Sequence, residues 1–344
     1  MEIIAKSVHI IDYEDDAISA ISPPEAFEEY VSALITEISA DKNIREYQTV
    51  SKTSEVIACI LHIQKHLAPD KKFEEQLDAI AYRLLRKEKD AQQRIEQLPV
   101  RVQKGSLIQA LLHEDSGNFS YLLAKVEHTS FVDDLDFSFK TGFSKDKKTI
   151  WKTCVFDLSN IEADQISAHI YSNTRAKYWS DDFLELVPIK SDEENTRVAF
   201  KAIDIALNNI IKNNAPYDHT ILRNSFICYF KTHTHMNYDA MLEDIILPYT
   251  PFQLASDKFE RFKEALNELP EKRNFDRQFT PIAKEITGRI KKVFPIREGI
   301  ELSIKDGISN LERVITADHD HDGSPYLKIL IDDESTFRRF FKGE

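Results

Sequence analysis

Three apolar runs separated by polar breaks dominate the hydrophobic pattern between residues 104 and 159. They span Leu107–Leu112, Tyr121–Val126 and Ile150–Leu158, and they are rich in β-branched and aromatic residues. The first two flank His113–Asn118 (HEDSGN), whose Asp, Ser, Gly and Asn residues favour a tight reversal of the chain. This pattern predicts a hairpin followed by a third strand, so that three neighbouring strands form a buried antiparallel sheet.

Strand and helix periodicities alternate in the first hundred residues. Glu2–Tyr13 carries β-branched residues and is followed by an acidic turn, which predicts a first strand and a short second strand. Apolar residues at steps of three and four then predict three helices. The helices begin at the capping-box sequence Ser22–Glu25, at Ser54 and at Lys71, and the last two end near Leu67 and Leu98.

The second half of the chain changes from helical to strand periodicity. Glu193–Leu247 repeats apolar residues at helical spacing, with breaks at Pro216 and at Thr232–Asn237, and Asp257–Leu269 predicts another helix. The remaining segments predict four strands and a terminal helical turn. The strands are expected at Arg289–Phe294, Ile300–Ile304, Asn310–Ala317 and Tyr326–Ile331, and the turn at Thr336–Phe341.

These elements predict an α+β fold with a mostly antiparallel central sheet, N-terminal helices, a helical lobe and a C-terminal β-rich segment. A length of 344 residues favours more than one lobe. We place the divisions at 1–190, 191–286 and 287–344, and we expect the last segment to pack on the rest. The aromatic segment Tyr178–Leu184 is expected to bury its rings against another lobe or subunit.

Composition narrows the class of protein. Charged residues at 30%, hydrophobic residues at 42% and only 8 Gly and 12 Pro are typical of an ordered, folded chain. Cys59, Cys154 and Cys228 lie far apart in apolar runs, as expected for buried thiols in a reducing cytoplasm. The sequence has no secretory signal pattern and no apolar stretch near the roughly 18 residues that a membrane span needs. We therefore expect a cytoplasmic protein that is not inserted in a membrane.

Two histidine-containing stretches are the candidates for a metal site. His319–Asp322 (HDHD) precedes Gly323 where a hairpin turn is expected, and alternate residues of a strand point to opposite faces. His233 and His235 pose the same question. We predict exposed polar turns, without a metal or any other cofactor.

Catalytic signatures are not evident in the sequence. It contains no GxGxxG, Walker, GxSxG or HExxH motif, and its paired acids have no obvious third partner. We predict no catalytic residues and expect that the protein is not an enzyme.

The net charge of −13 opposes general attraction to a polyphosphate, so contact with a nucleic acid requires a local basic patch. The strongest candidate is Thr287–Arg297 (TGRIKKVFPIR), which has four basic residues and no acid. If this run is a strand, Arg289 and Lys291 share one face and Lys292 the other. A solvated edge strand that uses lysine to discourage edge pairing is the structural alternative.

Two further basic groups could extend this patch. One lies in a polar insertion at residues 131–148, which is predicted to be a charged hairpin tip or loop, and the other lies at the C-terminus. The predicted phosphate-contacting residues are Arg289, Lys291, Lys292, Arg297, Lys145, Lys147, Lys148, Arg338, Arg339 and Lys342.

Several sequence blocks occur in an order that resembles a known family. They are IIAKSVHIID, GSLIQALLHEDSGNFSYLLAKVEH, WKTCVFDLSN, YWSDDFLEL, FICYFKTHTHMNYDAMLEDI and ISNLERVITADHDHDGSPYLKILIDD. Over nearly the whole chain they resemble the bacterial nucleoid-associated protein family of the NdpA type, although the insertion after Phe131 and the loops of the helical lobe depart from it. The resemblance implies a shared fold and a cytoplasmic, nucleoid-located protein that binds double-stranded DNA, and it supplies no catalytic residues.

The sequence and the resemblance together lead to two hypotheses about function. The first is a non-catalytic nucleoid-associated DNA-binding protein with largely sequence-independent phosphate contacts. The alternative is a protein-interaction scaffold, or an accessory subunit of a DNA-targeting system such as phage defence, that does not itself bind DNA tightly. Other DNA-processing proteins are expected partners, and a homodimer is expected because strand edges and aromatic segments need cover.

Overall fold

The computed structural model describes residues 1–21, 25–67, 70–97, 101–102, 104–132, 137–142, 150–172 and 177–342, with the backbone alone described at 25–27, 129–131, 139–141, 150–151 and 289. These residues form two compact units. The sheet unit comprises Met1–Ser191 and Asp276–Gln278, and the helical unit comprises Asp192–Phe275 and Phe279–Glu344. The predicted α+β class is confirmed.

The sheet unit is built on one large antiparallel sheet. Its strands are β1 (Glu2–Asp12), β2 (Ala17–Ile21), β3 (Arg45–Thr49), β4 (Gly105–His113), β5 (Phe119–Glu127), β6 (Thr129–Val132), β7 (Phe139–Gly142), β8 (Ile150–Asp157), β9 (Ser167–Ser172) and β10 (Leu186–Pro188), and its helices are α1 (Glu25–Ala40), α2 (Glu55–Lys65) and α3 (Lys71–Ile95). Eight strands form the sheet in the order β10-β3-β9-β8-β5-β4-β1-β2, while β6 and β7 form a separate hairpin.

The three neighbouring strands predicted from the apolar runs are confirmed as β4, β5 and β8. The predicted reversal between β4 and β5 is also present. The Glu114 N–H donates to the Asn118 carbonyl and the Gly117 N–H to the Glu114 carbonyl, each at 2.8 Å. Gly117 has a φ of 85°, a conformation that glycine adopts without the strain of a side chain.

Both faces of this sheet are covered, which explains why β4 and β5 are continuous apolar runs and not alternating ones. Leu107 and Leu111 lie in a core with residues of α2 and α3, whereas Ile108 and Leu112 lie in a second core with residues of α1. Because successive side chains of a strand point to opposite faces, each strand contributes apolar residues to both hydrophobic cores.

The aromatic segment is buried inside the sheet unit, so the prediction that its rings cover another lobe or subunit is wrong. Tyr178–Phe183 forms a single π-helical turn, in which the Trp179 and Phe183 rings are 1% and 0% exposed. Arg83 of α3 fixes this turn because its guanidinium donates to the carbonyls of Phe183 at 2.8 Å and Asp182 at 3.0 Å.

The helical unit combines a helix bundle with small hairpins. It contains α4 (Asp192–Ile210), α5 (Pro216–Thr232), β11 (Met236–Asn237), α6 (Tyr238–Ile246), α7 (Ser256–Arg273), α8 (Thr287–Ile290), β13 (Lys292–Arg297), β14 (Ile300–Ile304), α9 (Leu311–Val314), β15 (Ile315–His319), β16 (Pro325–Ile329) and α10 (Glu334–Phe340), and β12 (Gln278–Phe279) spans the return of the chain into it. The predicted breaks at Pro216 and Thr232–Asn237 are confirmed. Phe200, Phe226, Phe230 and Phe262 are central to its core.

Two strand predictions in this unit are wrong in part. Asn310–Ala317 begins with α9 and only then enters β15, and Arg289–Phe294 begins inside α8, so that its strand starts at Lys292. Both segments are rich in β-branched residues. Each nevertheless forms one helical turn, in which Ile290 or Leu311 is buried.

Helix α5 anchors the loop that connects the two hairpins β13–β14 and β15–β16. The Asn224 side chain accepts from the Ile308 N–H at 2.9 Å and donates to the Ile308 carbonyl at 2.7 Å. Gly307 lies so close to Cys228 that an added Cβ would meet its Sγ at 2.7 Å. The loop therefore docks on the helix through backbone contact that requires glycine.

Candidate nucleic-acid interface

The predicted phosphate-contacting residues that the structure describes all belong to the helical unit. Lys291 precedes β13 and Arg297 is its last residue, and both are exposed. Lys292 is the first residue of the strand and is half-buried. Arg338, Arg339 and Lys342 are exposed in and after α10, where Arg338 forms an ion pair with Glu334 at 2.9 Å. Lys145, Lys147 and Lys148 lie outside the described residues, as does the side chain of Arg289.

The predicted arrangement of the basic run on one strand is wrong. Arg289 lies in α8 and Lys291 is the residue that ends this helix, so the two do not share a face of a strand. Lys292 instead lies against helices α4 and α5. Ile290, two residues before Lys292, is buried in the helical core.

Lys292 belongs to a cationic cluster that the sequence did not reveal. Its other members are Lys212, just after α4, and His219 and Arg223, one turn apart on α5. Asp204 of α4 faces this cluster, and its carboxylate accepts from Arg223 Nε at 2.6 Å. We call Lys212, His219, Arg223 and Lys292 the cationic cluster, in which the buried His219 is neutral at neutral pH because its pKa is low.

Burial and neighbouring cations lower the pKa values of two members of the cluster. Burial, and then the charges of Lys292, Arg223 and Lys212, lower the pKa of His219 to about 4. Burial also lowers the pKa of Lys292, and Arg223 and Lys212 lower it further, against an opposing effect of Asp204. The charged form of each group is thus disfavoured first by burial and then by neighbouring cations, and a bound anion would offset the second effect.

Two members of the cluster, Arg223 and Lys292, line a small pocket. It has a volume of about 30 Å³, roughly the space of a water molecule, and Arg223, Asn224, Lys292 and Asp306 contribute polar groups to its wall. Lys212 is exposed beside the half-buried Lys292. Arg223 and His219 therefore form the buried part of the cluster, and the ammonium groups of Lys212 and Lys292 lie nearer the solvent.

The sheet unit contains a second polar cluster that the sequence patterns did not predict. Glu88 of α3 and Lys125 of β5 form an ion pair in which both side chains are fully buried. Lys152 of β8 is the cross-strand neighbour of Lys125 and contacts Glu127 at 3.5 Å. Burial raises the pKa of Glu88 even though Lys125 and Lys152 lower it.

At both clusters the sequence indicates a buried charge, but it does not identify the partners of that charge. Lys125 and Lys152 interrupt the apolar runs YLLAKVE and IWKTCVF, and Asp204 interrupts the apolar face of a helix. A charged residue inside a buried segment is rarely left unpaired, so each such interruption predicts an internal partner. The identity of that partner depends on which segments meet in space.

The histidine stretches form turns or helix ends. The Asp320 N–H donates to the Ser324 carbonyl and the Gly323 N–H to the Asp320 carbonyl, both at 2.8 Å, which closes the predicted hairpin turn. His233 stacks on Tyr229 with ring centroids 3.7 Å apart. Within the described part of the chain, no group of three or more His, Cys, Asp or Glu side chains is arranged to hold a metal ion.

Comparison with known proteins does not assign a family. No protein-family model matches the chain, and no curated protein matches it. Among the helices that the structure describes, none has the length and apolar character to cross a bilayer.

Proposed function

We propose that this protein binds double-stranded DNA without catalysing a reaction, through phosphate contacts of low sequence selectivity. The observation that carries the proposal is the cationic cluster, where Lys212, Arg223 and Lys292 lie near the carboxylate of Asp204, and where Asp306 lines the same small pocket as Arg223 and Lys292. A nucleoid location and the resemblance to the nucleoid-associated family are part of the same proposal.

The position of the cluster suits a backbone contact better than a base contact. Arg223 is buried and paired, so it supports the charge of the site without reaching a ligand itself. Lys212 and Lys291 are exposed, and Lys292 is half-buried between them and Arg223. Flexible ammonium groups bind phosphate as point charges and do not distinguish base edges, so they position a duplex without selecting its sequence.

The high negative charge of the chain makes the interaction local. With a net charge of −13, a duplex is repelled by most of the surface and is held by the few cations that reach its phosphates. If Lys212, Lys291, Lys292 and Arg297 each neutralise one phosphate, log K falls against log salt with a slope of about −3 to −4.

Titration of a fluorescent duplex at several salt concentrations tests this proposal. We expect micromolar or tighter binding at low salt, the slope given above, and similar affinity for duplexes of unrelated sequence. An affinity that does not change with salt, or no binding at low salt, would contradict it.

The alternative function, a protein-interaction scaffold or an accessory subunit of a DNA-targeting system such as phage defence, is favoured by a different observation. The C-terminal hairpins and α10 expose many large apolar side chains, among them Ile300, Leu330 and Phe340. Large apolar patches mark protein contacts and not phosphate contacts. Absence of DNA binding together with stable association through this surface would favour the scaffold.

A further inference from the structure

The C-terminal part of the helical unit exposes many large apolar side chains. From β13 onward, eleven large apolar side chains are each more than a third exposed. Their exposed fractions add up to about five whole side chains, or roughly 1,000 Å² at about 200 Å² each, spread over both hairpins and the segment through α10. A stable interface covers about 800 Å² on each partner. The summed area is therefore of the size that a dimer buries.

The hairpins β13–β14 and β15–β16 each have one apolar face, and an open groove lies between them. Phe294 pairs with Leu302 in the first hairpin and Ala317 with Leu327 in the second, and directly paired residues lie on the same face of a sheet. These four side chains line a groove of about 650 Å³, and Phe252 is part of its wall. An isolated two-stranded hairpin is marginally stable in water, so both hairpins need cover on these faces.

The chain also carries a segment with the shape and chemistry that fill such a groove. Helix α10 presents Phe337 and Phe340 at positions i and i+3, and Phe341 follows directly after its last residue. The rings of Phe337 and Phe341 stack with centroids 4.9 Å apart. Phe340 is 79% exposed. Arg338 lies at the edge of this aromatic side and Arg339 points away from it, because they lie about 100° and 200° around the helix from Phe337. An amphipathic helix with this spacing of anchors is a common ligand of apolar grooves.

We propose that the protein forms a two-fold homodimer in which α10 of each copy docks in the groove of its partner. The described lining of the groove includes no residue of α10, whose own side chains are exposed. The exchange fills both grooves and covers both helices, which is the reciprocal arrangement that a two-fold axis requires. This inference does not depend on DNA binding.

Charge agrees with this choice of occupant. Glu312 is the charged residue that lines the groove, while the helix carries Arg338, Arg339 and the nearby Lys342 against Glu334. A basic helix is thus matched to an acidic groove within a chain that is acidic overall. Arg338 lies at the edge of the aromatic side, so its charge acts at the rim of the contact, and in the single chain it pairs with Glu334 at 2.9 Å.

A complementation experiment tests the exchange. The helix variant is Phe340→Glu/Phe341→Glu, and the groove variant is Phe252→Glu/Leu327→Glu, both at exposed positions. A control, Val50→Glu/Leu247→Glu, makes the same change at exposed apolar residues elsewhere. Light scattering at micromolar concentration should give a dimeric mass for the wild type and the control, and a monomeric mass for each of the two other variants.

Mixing the helix variant with the groove variant should restore a dimer, because one chain supplies an intact groove and the other an intact helix. Circular dichroism checks that each variant is folded, and a chain that ends after Asp333 replaces the helix variant if it is not. A monomeric wild type, a helix variant that remains dimeric, or a mixture that remains monomeric would each overturn the proposal.

Discussion

Buried polar residues of the helical unit act as organisers of its loops. The Asp218 carboxylate accepts the backbone N–H groups of Phe252, Gln253 and Leu254 at 2.7–2.8 Å, and the Tyr249 hydroxyl at 2.5 Å. Burial alone would raise its pKa, but these hydrogen bonds hold the pKa of Asp218 below its ordinary value. One side chain thereby fixes the segment that places Phe252 at the groove.

His219 should make the stability of the protein depend on pH. Its pKa is about 4 in the folded protein and about 6.5 in an unfolded chain, so the unfolded state binds more protons between these values. Stability is therefore fully present above pH ~6.5 and falls, by on the order of 2–3 kcal/mol, as the pH drops toward ~4. Urea denaturation of the wild type and His219→Gln across this range checks the prediction, since the difference between their free energies of unfolding should change with pH. A difference that stays constant would contradict it.

Gly307 and Gly288 contrast a glycine in close contact with its neighbours and a glycine in open space. A Cβ at Gly307 would also come within 3.0 Å of the Cys228 backbone nitrogen, whereas a Cβ at Gly288 in α8 meets nothing within 4 Å. Gly307→Ala should destabilise the protein by about 1–3 kcal/mol because the loop must move away from α5. Gly288→Ala should be neutral or slightly stabilising, because alanine favours a helix. Thermal unfolding of the two variants measures the difference, and equal melting temperatures would show that the loop is not held closely.

At the scale of elements, the sequence predicted best where periodicity and burial agree. The strands β4, β5 and β8 and the helices α4, α5 and α6 follow from apolar patterns that match their environments on every face. Prediction failed at α8 and α9, where β-branched residues occupy a single helical turn, because tertiary packing of Ile290 and Leu311 outweighs local propensity. The cationic cluster could not be predicted, since Lys212, Arg223 and Lys292 meet only when α4, α5 and β13 come together.

The contact of α3 with the sheet contains the buried pair Glu88–Lys125, which yields a prediction at this scale. Lys125→Met leaves the Glu88 carboxylate buried beside the remaining ammonium of Lys152, and it should destabilise the protein by roughly 3–5 kcal/mol. The double variant Glu88→Leu/Lys125→Met should recover most of this loss, because two apolar side chains of similar size remove both desolvation costs. A double-mutant cycle in chemical denaturant measures the coupling. If the two losses simply add, the pair is not a coupled unit.

For the molecule as a whole, charge is distributed unevenly. The chain carries a net charge of −13, yet Lys212, Arg223 and Lys292 lie close enough to His219 that, after burial, their charges lower its pKa. Such a local group of cations offers an anionic polymer a place where it is repelled less than by the acidic surface around it.

The most direct test of DNA binding through this cluster compares two variants that lose the same charge. Lys212→Ala/Lys291→Ala/Lys292→Ala removes two cations of the cluster and the neighbouring Lys291, and Lys263→Ala/Lys272→Ala/Arg273→Ala removes three cations from α7 of the same unit. Duplex DNA affinity is then measured for both variants and the wild type as a function of salt. The cluster variant should lose about tenfold or more in affinity and show a slope that is less steep by about 2 to 3, while the α7 variant stays close to the wild type. Unchanged affinity and slope in the cluster variant, or equal losses in both variants, would contradict the proposed site.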